Sequence, residues 1–387
     1  MKASSIFERF SKNKFLRQSF GTLSLRVFGA LLLFGFTVFL TKTYSPKLVG
    51  QYDFVRSFLL SIGSMCLLGF DQSIIYFKGK LASQNALEEL KNIYKKMVLM
   101  LFGTSLLVLL IIAVISKETI NNYFSDPEVY SILLKGAGAL FFSGLSILNT
   151  EVFRALDKLY VAELFRNIIK YIPLIIGSIV LFYWHEQEYL VNVFLLGFVF
   201  LAVVSTALVL VYFRKKTVLE TTEKITHKEV FLKSYPIAIS AMAMFLLMCF
   251  DIMFLKKYRN DETVAFYSVG VKIMTIISII IVSINITVSA KIAELFASHK
   301  TAELSEVSRK SARLILMITL PVILLISYFS KSILSIFGHQ YVVARRGIFN
   351  FAYWSGNLFG IWYSISLFEY DGKTTHFSDH FDFGSSC

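Results

Sequence analysis

Long apolar blocks constrain this chain more than any other feature. Residues 97–115 contain no charged side chain and are apolar on every side, without the polar stripe that a helix on a soluble protein carries. A helix of about 20 such residues crosses a bilayer core of roughly 30 Å. Because similar blocks recur along the chain, and 56% of the residues are hydrophobic against 17% charged, the sequence predicts an all-α, polytopic membrane helix bundle.

The blocks predict about ten transmembrane helices joined by short polar connections. Their predicted spans are 20–41, 54–77, 94–116, 129–150, 165–184, 189–213, 231–255, 263–290, 311–330 and 348–368. None of the connections is long enough to hold a globular insert.

Lysine and arginine residues are unevenly distributed between the two sides of this predicted bundle. With the N-terminus in the cytoplasm, 26 of them lie in cytoplasmic segments and 9 in outer segments. Cytoplasmic loops of membrane proteins carry such an excess, so the bias predicts a cytoplasmic N-terminus. Basic loops beside an anionic leaflet also explain the net charge of +13, and we expect no nucleic-acid partner.

An internal repeat divides the predicted bundle. Stretches 20–77 and 235–292 share one layout of helix, short outer loop and long helix, and Val49 and Tyr52 match Val264 and Tyr267 at the same offset. Because six helices separate the two copies, both keep the same orientation, as parallel repeats do. We therefore predict an N-terminal lobe of six helices at 1–213, a cytoplasmic linker at 214–230, a C-terminal lobe of four helices at 231–368 and a polar tail at 369–387.

These repeated stretches carry a family resemblance. Pro46, Gly50 and Tyr52 form a Pro-x-x-x-Gly-x-Tyr turn between the first two helices. Segments 235–255, 264–274, 291–296, 336–344 and 371–377 follow in matching order. Over residues 15–377 the chain resembles the polysaccharide repeat-unit (O-antigen-type) flippases of the multidrug/oligosaccharidyl-lipid/polysaccharide, or MATE-like, exporter superfamily.

That resemblance implies a function and a location. We expect a transporter that moves undecaprenyl-diphosphate-linked oligosaccharide units across the bacterial inner membrane for surface polysaccharides such as lipopolysaccharide. The expected partners are this lipid-linked substrate, membrane lipids and the polysaccharide polymerase and ligase machinery. The resemblance implies no cofactor.

Two features depart from the family pattern. Ser289 and Ala290 stand where members usually have a proline. Members also typically have twelve or more helices, whereas the tail at 369–387 contains nothing that could span a bilayer. We therefore expect a truncated second lobe, with a genuine ten-helix variant as the alternative. An inactive fragment is one alternative to a working flippase.

Two other functions compete with the flippase interpretation. A multidrug exporter of the same superfamily is one, although basic residues within the spans favour an anionic substrate over organic cations. A membrane glycan polymerase or glycosyltransferase is the other. Such enzymes typically have a long outer loop with catalytic carboxylates or arginines, whereas the connections predicted here are short. The sequence has no G-x-S-x-G, H-E-x-x-H or P-loop motif. We expect neither enzymatic activity nor a metal site.

Basic residues within the predicted spans are the candidates for binding substrate. A charge in the bilayer costs about 2.5–3.5 kcal/mol on insertion scales, so each needs a reason. A diphosphate is stabilised by cations, and an arginine can bind it through two hydrogen bonds. We predict four residues that line a substrate cavity, with a snorkelling anchor or an intramembrane ion pair as the alternative for each: Arg26, Arg56, Lys135 and Lys272.

Two acidic residues within the spans are candidates for ion coupling. Asp71 and Asp251 could take up a proton or sodium ion during transport, because burial makes a carboxyl group easier to protonate. The alternative for each is an ion pair with a lysine or arginine that holds two helices together.

Overall fold

The computed structural model describes residues 14–81, 87–214, 225–274 and 301–345, together with residues 288 and 295. These segments are largely helical and contain no strand. Seven helical stretches in them are long and apolar enough to cross a membrane: Gly21–Thr43, Pro46–Leu81, Leu87–Val114, Val129–Ala155, Leu159–Tyr183, Gln187–Arg214 and Glu306–Tyr328. The chain is therefore a multi-pass membrane protein with the predicted all-α fold.

The helices follow one another with short connections. They are α1 (Lys14–Thr43), α2 (Pro46–Leu67), α3 (Phe70–Leu81), α4 (Leu87–Val114), α5 (Lys117–Phe124), α6 (Val129–Ala155), α7 (Leu159–Asn167), α8 (Ile172–Tyr183), α9 (Leu190–Arg214), α10 (His227–Tyr258), α11 (261–274), α12 (Thr301–Tyr328) and α13 (Ser330–Phe337). Single 3₁₀ turns lie at Ile169–Tyr171 and Gln187–Tyr189, and a longer 3₁₀ helix at His339–Ala344.

Most predicted spans fall on these helices. The span predicted at 231–255 falls on α10, which is helical but is not among the seven membrane candidates. The span at 263–290 is described only as far as residue 274. The predicted span 348–368, the tail 369–387 and the Ser289-Ala290 pair lie outside the described residues.

Residues 46–56, which include the short outer loop predicted before the span at 54–77, are helical throughout. Ser45 has an extended backbone, and its hydroxyl accepts a hydrogen bond from the Leu48 backbone N–H at 3.5 Å. Pro46 follows in the first turn, where a missing N–H costs nothing. This serine–proline pair is a helix start signal, so α2 begins at Pro46 rather than at residue 54.

The span predicted as continuous at 54–77 is broken between α2 and α3. Leu68 and Gly69 both adopt left-handed backbone conformations, with φ of 49° and 73°. A Cβ added at Gly69 would lie 2.7 Å from the Ala238 backbone nitrogen and 2.8 Å from the Ser234 carbonyl oxygen, both on α10. At residue 69 only glycine tolerates both the left-handed backbone and so close a contact. The break between α2 and α3 therefore also sets how closely α10 packs against it.

Helix α6 is the centre of the first of two compact units, residues 1–268. It packs against α2, α3, α4, α7 and α9. Asn149 on α6 accepts a hydrogen bond from the Tyr94 hydroxyl of α4 at 2.7 Å and donates to Ser205 and Thr206 of α9 at 2.8 and 2.9 Å. Such bonds satisfy polar groups that the bilayer cannot, and they hold three helices together.

The second compact unit comprises residues 269–387. In its described part, α13 packs against α12 and against the 3₁₀ helix His339–Ala344. Helix α10 belongs to the first unit and packs along α2, with further contacts to α3, α4 and α5. The predicted lobes, 1–213 and 231–368, follow the sequence repeat rather than these contacts, and their division stays a prediction.

Candidate functional site

A buried carboxylate gathers cations where α1, α6 and α7 meet. Glu163 on α7 accepts hydrogen bonds from Arg26 Nε and Nη2 at 3.0 and 2.6 Å, and its side chain is only 4% exposed. Arg154 Nη2 and Asn167 Nδ2 also donate to it, at 3.4 and 2.8 Å. Arg26 is therefore held in a two-pronged ion pair, the strongest geometry for an arginine and a carboxylate.

A second buried carboxylate extends this group along α6. Glu151 forms ion pairs with Arg154 Nη1 at 3.3 Å and with Arg166. The buried Asp71 of α3 lies within electrostatic range of Arg166. Three arginines thus meet three carboxylates, and their formal charges cancel. We call this group the Glu163 cluster; its members are Arg26, Asp71, Glu151, Arg154, Glu163 and Arg166.

A second charged group lies at the other end of α6, about 40 Å along that helix. Lys256 on α10 is 1% exposed and donates to Asp261 Oδ1 at 2.5 Å and to Asp126. Beside it, Glu128 accepts hydrogen bonds from Lys47 Nζ at 2.8 Å and from Gln51 Nε2 at 2.6 Å. We call this group the Lys256 cluster; its members are Lys47, Gln51, Asp126, Glu128, Lys256 and Asp261.

Burial and the lysine act in opposite directions on the two aspartates. Burial is the largest influence on Asp126 and opposes its ionisation, but hydrogen bonds from Lys256 and from the Glu128 backbone N–H hold its pKa below the usual range. At Asp261 burial outweighs the bond from Lys256 and raises the pKa. On acidification Asp261 therefore takes up a proton before Asp126 does.

Helices α2 and α11 nearly touch beside the Lys256 cluster. A Cβ added at Gly50 would lie 1.9 Å from the Asp261 carbonyl oxygen. The two backbones approach this closely only because Gly50 has no side chain. Gly50 lies near the start of α2 and Asp261 begins α11, so the contact joins the two helices that the sequence repeat relates.

Arg56 stands apart from both charge clusters. It lies about 15 Å along α2 from the start of that helix, deeper than a span beginning at residue 54 implies. Its electrostatic neighbours are Tyr52, Tyr171, Asp53 and Cys249, yet no carboxylate of the described segments forms an ion pair with it. Because Cys249 belongs to α10, Arg56 lies at the contact between α2 and α10.

The other predicted site residues lie in separate surroundings. Lys135 on α6 is exposed and borders a groove of about 400 Å³ between α6 and α9. Asp251 on α10 accepts a hydrogen bond from the Tyr267 hydroxyl at 2.5 Å. Lys272 is partly buried in the second unit. Of the six predicted residues, the structure brings Arg26 and Asp71 into one cluster; the cavity and coupling roles stay predictions.

Most residues that form the two clusters are not among the six predicted site residues. Glu151, Arg154 and Glu163 fall between the spans predicted at 129–150 and 165–184, and Arg166 falls at the start of the second of these. Lys256 follows the span predicted at 231–255. A local signal existed for the first group, because Glu151 and Arg154 are three residues apart, a spacing typical of pairs on one helix face. The contact between Lys256 and Asp126 has no such signal, because 130 residues separate them.

Metal-binding chemistry has no candidate among the described residues. They contain no group of three or more histidine, cysteine or acidic side chains placed to hold an ion. Cys66 and Cys249 are free and buried, and they lie in apolar helices, where thiols act as small hydrophobic side chains.

Two family models match this chain. A family model described as "Polysaccharide biosynthesis protein" matches residues 15–290, more than half of the chain. A second, described as MatE, matches residues 236–347, and both families are transporters. A search of curated proteins and a search of solved structures each found no match. The resemblance inferred from sequence is confirmed: the chain belongs to the polysaccharide biosynthesis protein family, the polysaccharide flippases of the MATE-like superfamily.

Proposed function

We propose that this transporter moves an oligosaccharide linked to undecaprenyl diphosphate across the bacterial inner membrane for surface polysaccharide synthesis. The choice of this substrate rests on the surroundings of Arg56. A cation within a membrane helix is expensive unless anions compensate it, and among the electrostatic neighbours of Arg56 in the described segments only Asp53 is a carboxylate. A lipid diphosphate supplies that charge and matches the geometry of a guanidinium group. The organic cations that many multidrug exporters carry would be repelled by it.

The contacts of α10 support transport by alternating access. At one end of α10, the Lys256 cluster joins this helix to the segment before α6. At the other end, Lys80 of α3 pairs with Glu229 at 3.1 Å, and the Ser234 hydroxyl donates to Ser73 at 2.7 Å. In the proposed cycle α10 separates from its neighbouring helices at one end, while the contacts at its other end hold.

The proposed orientation places the N-terminus and the Glu163 cluster on the cytoplasmic side and the Lys256 cluster on the outer side. It rests on the 26-to-9 distribution of basic residues. Reporter enzymes fused at residues 214–233 should report the cytoplasm, and those fused at 256–262 the outer side. The reverse pattern would overturn the orientation.

The proposed function is tested in a bacterial strain that lacks its own polysaccharide flippase. We expect the wild-type chain to restore surface polysaccharide and Arg56→Gln to reduce it by about tenfold or more, because a hydrogen-bonded charge pair with the diphosphate is lost. Arg56→Lys should retain part of the activity, since it keeps the charge but not the two-pronged contact.

The matched control for this experiment is Arg259→Gln, an exposed arginine just after α10, which should behave as wild type. All variants are compared at equal abundance in the membrane. Full export by Arg56→Gln would refute the substrate assignment, and failure of the wild-type chain to restore any polysaccharide would refute the proposed function.

A further inference from the structure

The groove between α6 and α9 changes in character along its length. Both helices run in the same direction, so residues near their starts share one end of the groove. Lys135 and Asn192 line that end, whereas Phe142 and Val199 line the end deeper in the membrane. A groove that is polar and cationic at its shallow end and apolar at its deep end matches the polarity of a lipid molecule.

The floor of the groove is open because Gly138 has no side chain. A Cβ added there would meet no atom within 4 Å, so the space is free rather than filled by a neighbouring helix. Small residues usually allow helices to approach closely, but no helix of the described segments occupies this position.

The groove borders a surface that must contact hydrocarbon. Leu196, Phe200 and Val203 of α9 are 64%, 58% and 62% exposed. Their spacing places them on one face of the helix, and Leu196 also forms a wall of the groove. Exposed apolar stripes on a membrane helix face lipid tails, so bilayer lipids have direct access to the groove.

Lys135 gives this groove a charge preference. Its side chain is exposed, and it lies about 9 Å along α6 from the start of that helix. That depth lets the flexible amine extend to the level of the lipid phosphates. An anionic headgroup would satisfy the amine, while a zwitterionic headgroup would bring a repelling cation with it.

We propose that this groove binds an anionic membrane phospholipid, with its phosphate beside Lys135 and one acyl chain lying between α6 and α9 over Gly138. Lys135 then contacts a resident lipid at the periphery of the first unit and does not line the substrate cavity. The inference does not depend on the proposed transport function, because it concerns the lipid solvent of the protein and not its cargo.

Native mass spectrometry of the purified full chain tests this inference. Phosphatidylglycerol and phosphatidylcholine with identical acyl chains are titrated separately, and we expect phosphatidylglycerol to bind about fivefold more tightly, as one lysine at a membrane surface would give. Lys135→Gln should abolish that preference and Lys135→Arg should keep it. Gly138→Leu should weaken the binding of both lipids, because its side chain fills the acyl channel.

Two controls match these variants. Lys117→Gln removes an exposed lysine near the same end of the helices, and Gly103→Leu enlarges another helical glycine with no atom within 4 Å of its added Cβ; both should bind lipid as wild type. The inference is overturned if Lys135→Gln keeps the preference, if Gly138→Leu binds as Gly103→Leu does, or if undecaprenyl phosphate binds more tightly than phosphatidylglycerol.

A second readout covers the case in which Gly138→Leu does not fold. Phosphatidylglycerol with a photoreactive acyl chain is cross-linked to the wild-type protein, and the adducts are mapped by peptide sequencing. Adducts concentrated at residues 138–142 and 196–203 support the assignment. Adducts spread evenly over all apolar helices would contradict it.

Discussion

Replacing Lys256 with methionine is expected to destabilise the protein by about 3 kcal/mol. Its amine is 1% exposed and lies between Asp126 and Asp261, so the substitution leaves two largely buried carboxylates without their cation. Breaking a buried ion pair in this way typically costs about 3–5 kcal/mol. We expect the low end because Asp261, whose pKa burial already raises, can take up a proton. The measurement is the thermal unfolding midpoint of the purified protein in detergent.

Lowering the pH should narrow the difference in stability between wild type and Lys256→Met. The Asp126 pKa is lowered in the folded protein, so its contribution to stability is present above its ordinary pKa and is lost as the pH falls through the lowered value. In the variant, the same protons relieve the unpaired carboxylates. Lys257→Met is the matched control, because the Lys257 amine lies over the Tyr123 ring at 4.0 Å and forms no ion pair with a carboxylate of the described segments. A difference in stability between wild type and Lys256→Met that grows as the pH falls would contradict this expectation.

Replacing Glu163 with glutamine is also expected to destabilise the protein by about 3 kcal/mol. Here a cation, rather than a carboxylate, loses its ion-pair partner. Glu163 receives hydrogen bonds from Arg26 and Arg154, and these arginine side chains are 34% and 28% exposed. Without this carboxylate Arg26 loses its ion pair, whereas Arg154 keeps its pair with Glu151. Partial access to solvent also reduces the usual penalty of about 3–5 kcal/mol. Unfolding midpoints in detergent measure this loss.

The Arg26→Met/Glu163→Gln double variant separates the ion pair from other effects of Glu163→Gln. It should lose less stability than the sum of the two single variants, because it removes both charges together. Glu88→Gln is the control, since the ion pair of Glu88 in the described segments is a partly exposed one with Lys91 at 3.2 Å, a kind of contact that contributes about 0–1 kcal/mol. If the stability losses of the two single variants simply add, or if Glu88→Gln loses as much stability as Glu163→Gln, the Glu163 cluster does not stabilise the fold.

The membrane helices could be predicted from sequence because hydropathy accumulates over about 20 residues. The prediction was wrong where local backbone chemistry decides. Polar residues at 46–56 suggested a loop, but Ser45 and Pro46 begin a helix there. The break at Leu68 and Gly69 lies within an apolar run, and hydropathy cannot detect a change in backbone conformation.

The partners of the charged residues could not be predicted, because they depend on which helices are neighbours. The sequence leaves three interpretations for Arg26, a cavity residue, a snorkelling anchor or an ion pair, and in the structure it pairs with Glu163, 137 residues away. Arg56 was singled out for the same reason but has no such carboxylate in the described segments. Arg26 lies against α7, which supplies Glu163, whereas Arg56 lies against α10, which places Cys249 beside it.

Translocation of a fluorescent lipid-linked oligosaccharide in proteoliposomes tests the central claim most directly. The purified chain is reconstituted with the labelled undecaprenyl-diphosphate substrate, and exposure of the sugar to a reagent outside the vesicles is followed with time. We predict movement well above that in protein-free vesicles, and its loss in Arg56→Gln but not in Arg259→Gln. Exposure no faster than in protein-free vesicles, or equal rates for wild type and Arg56→Gln, would contradict the account.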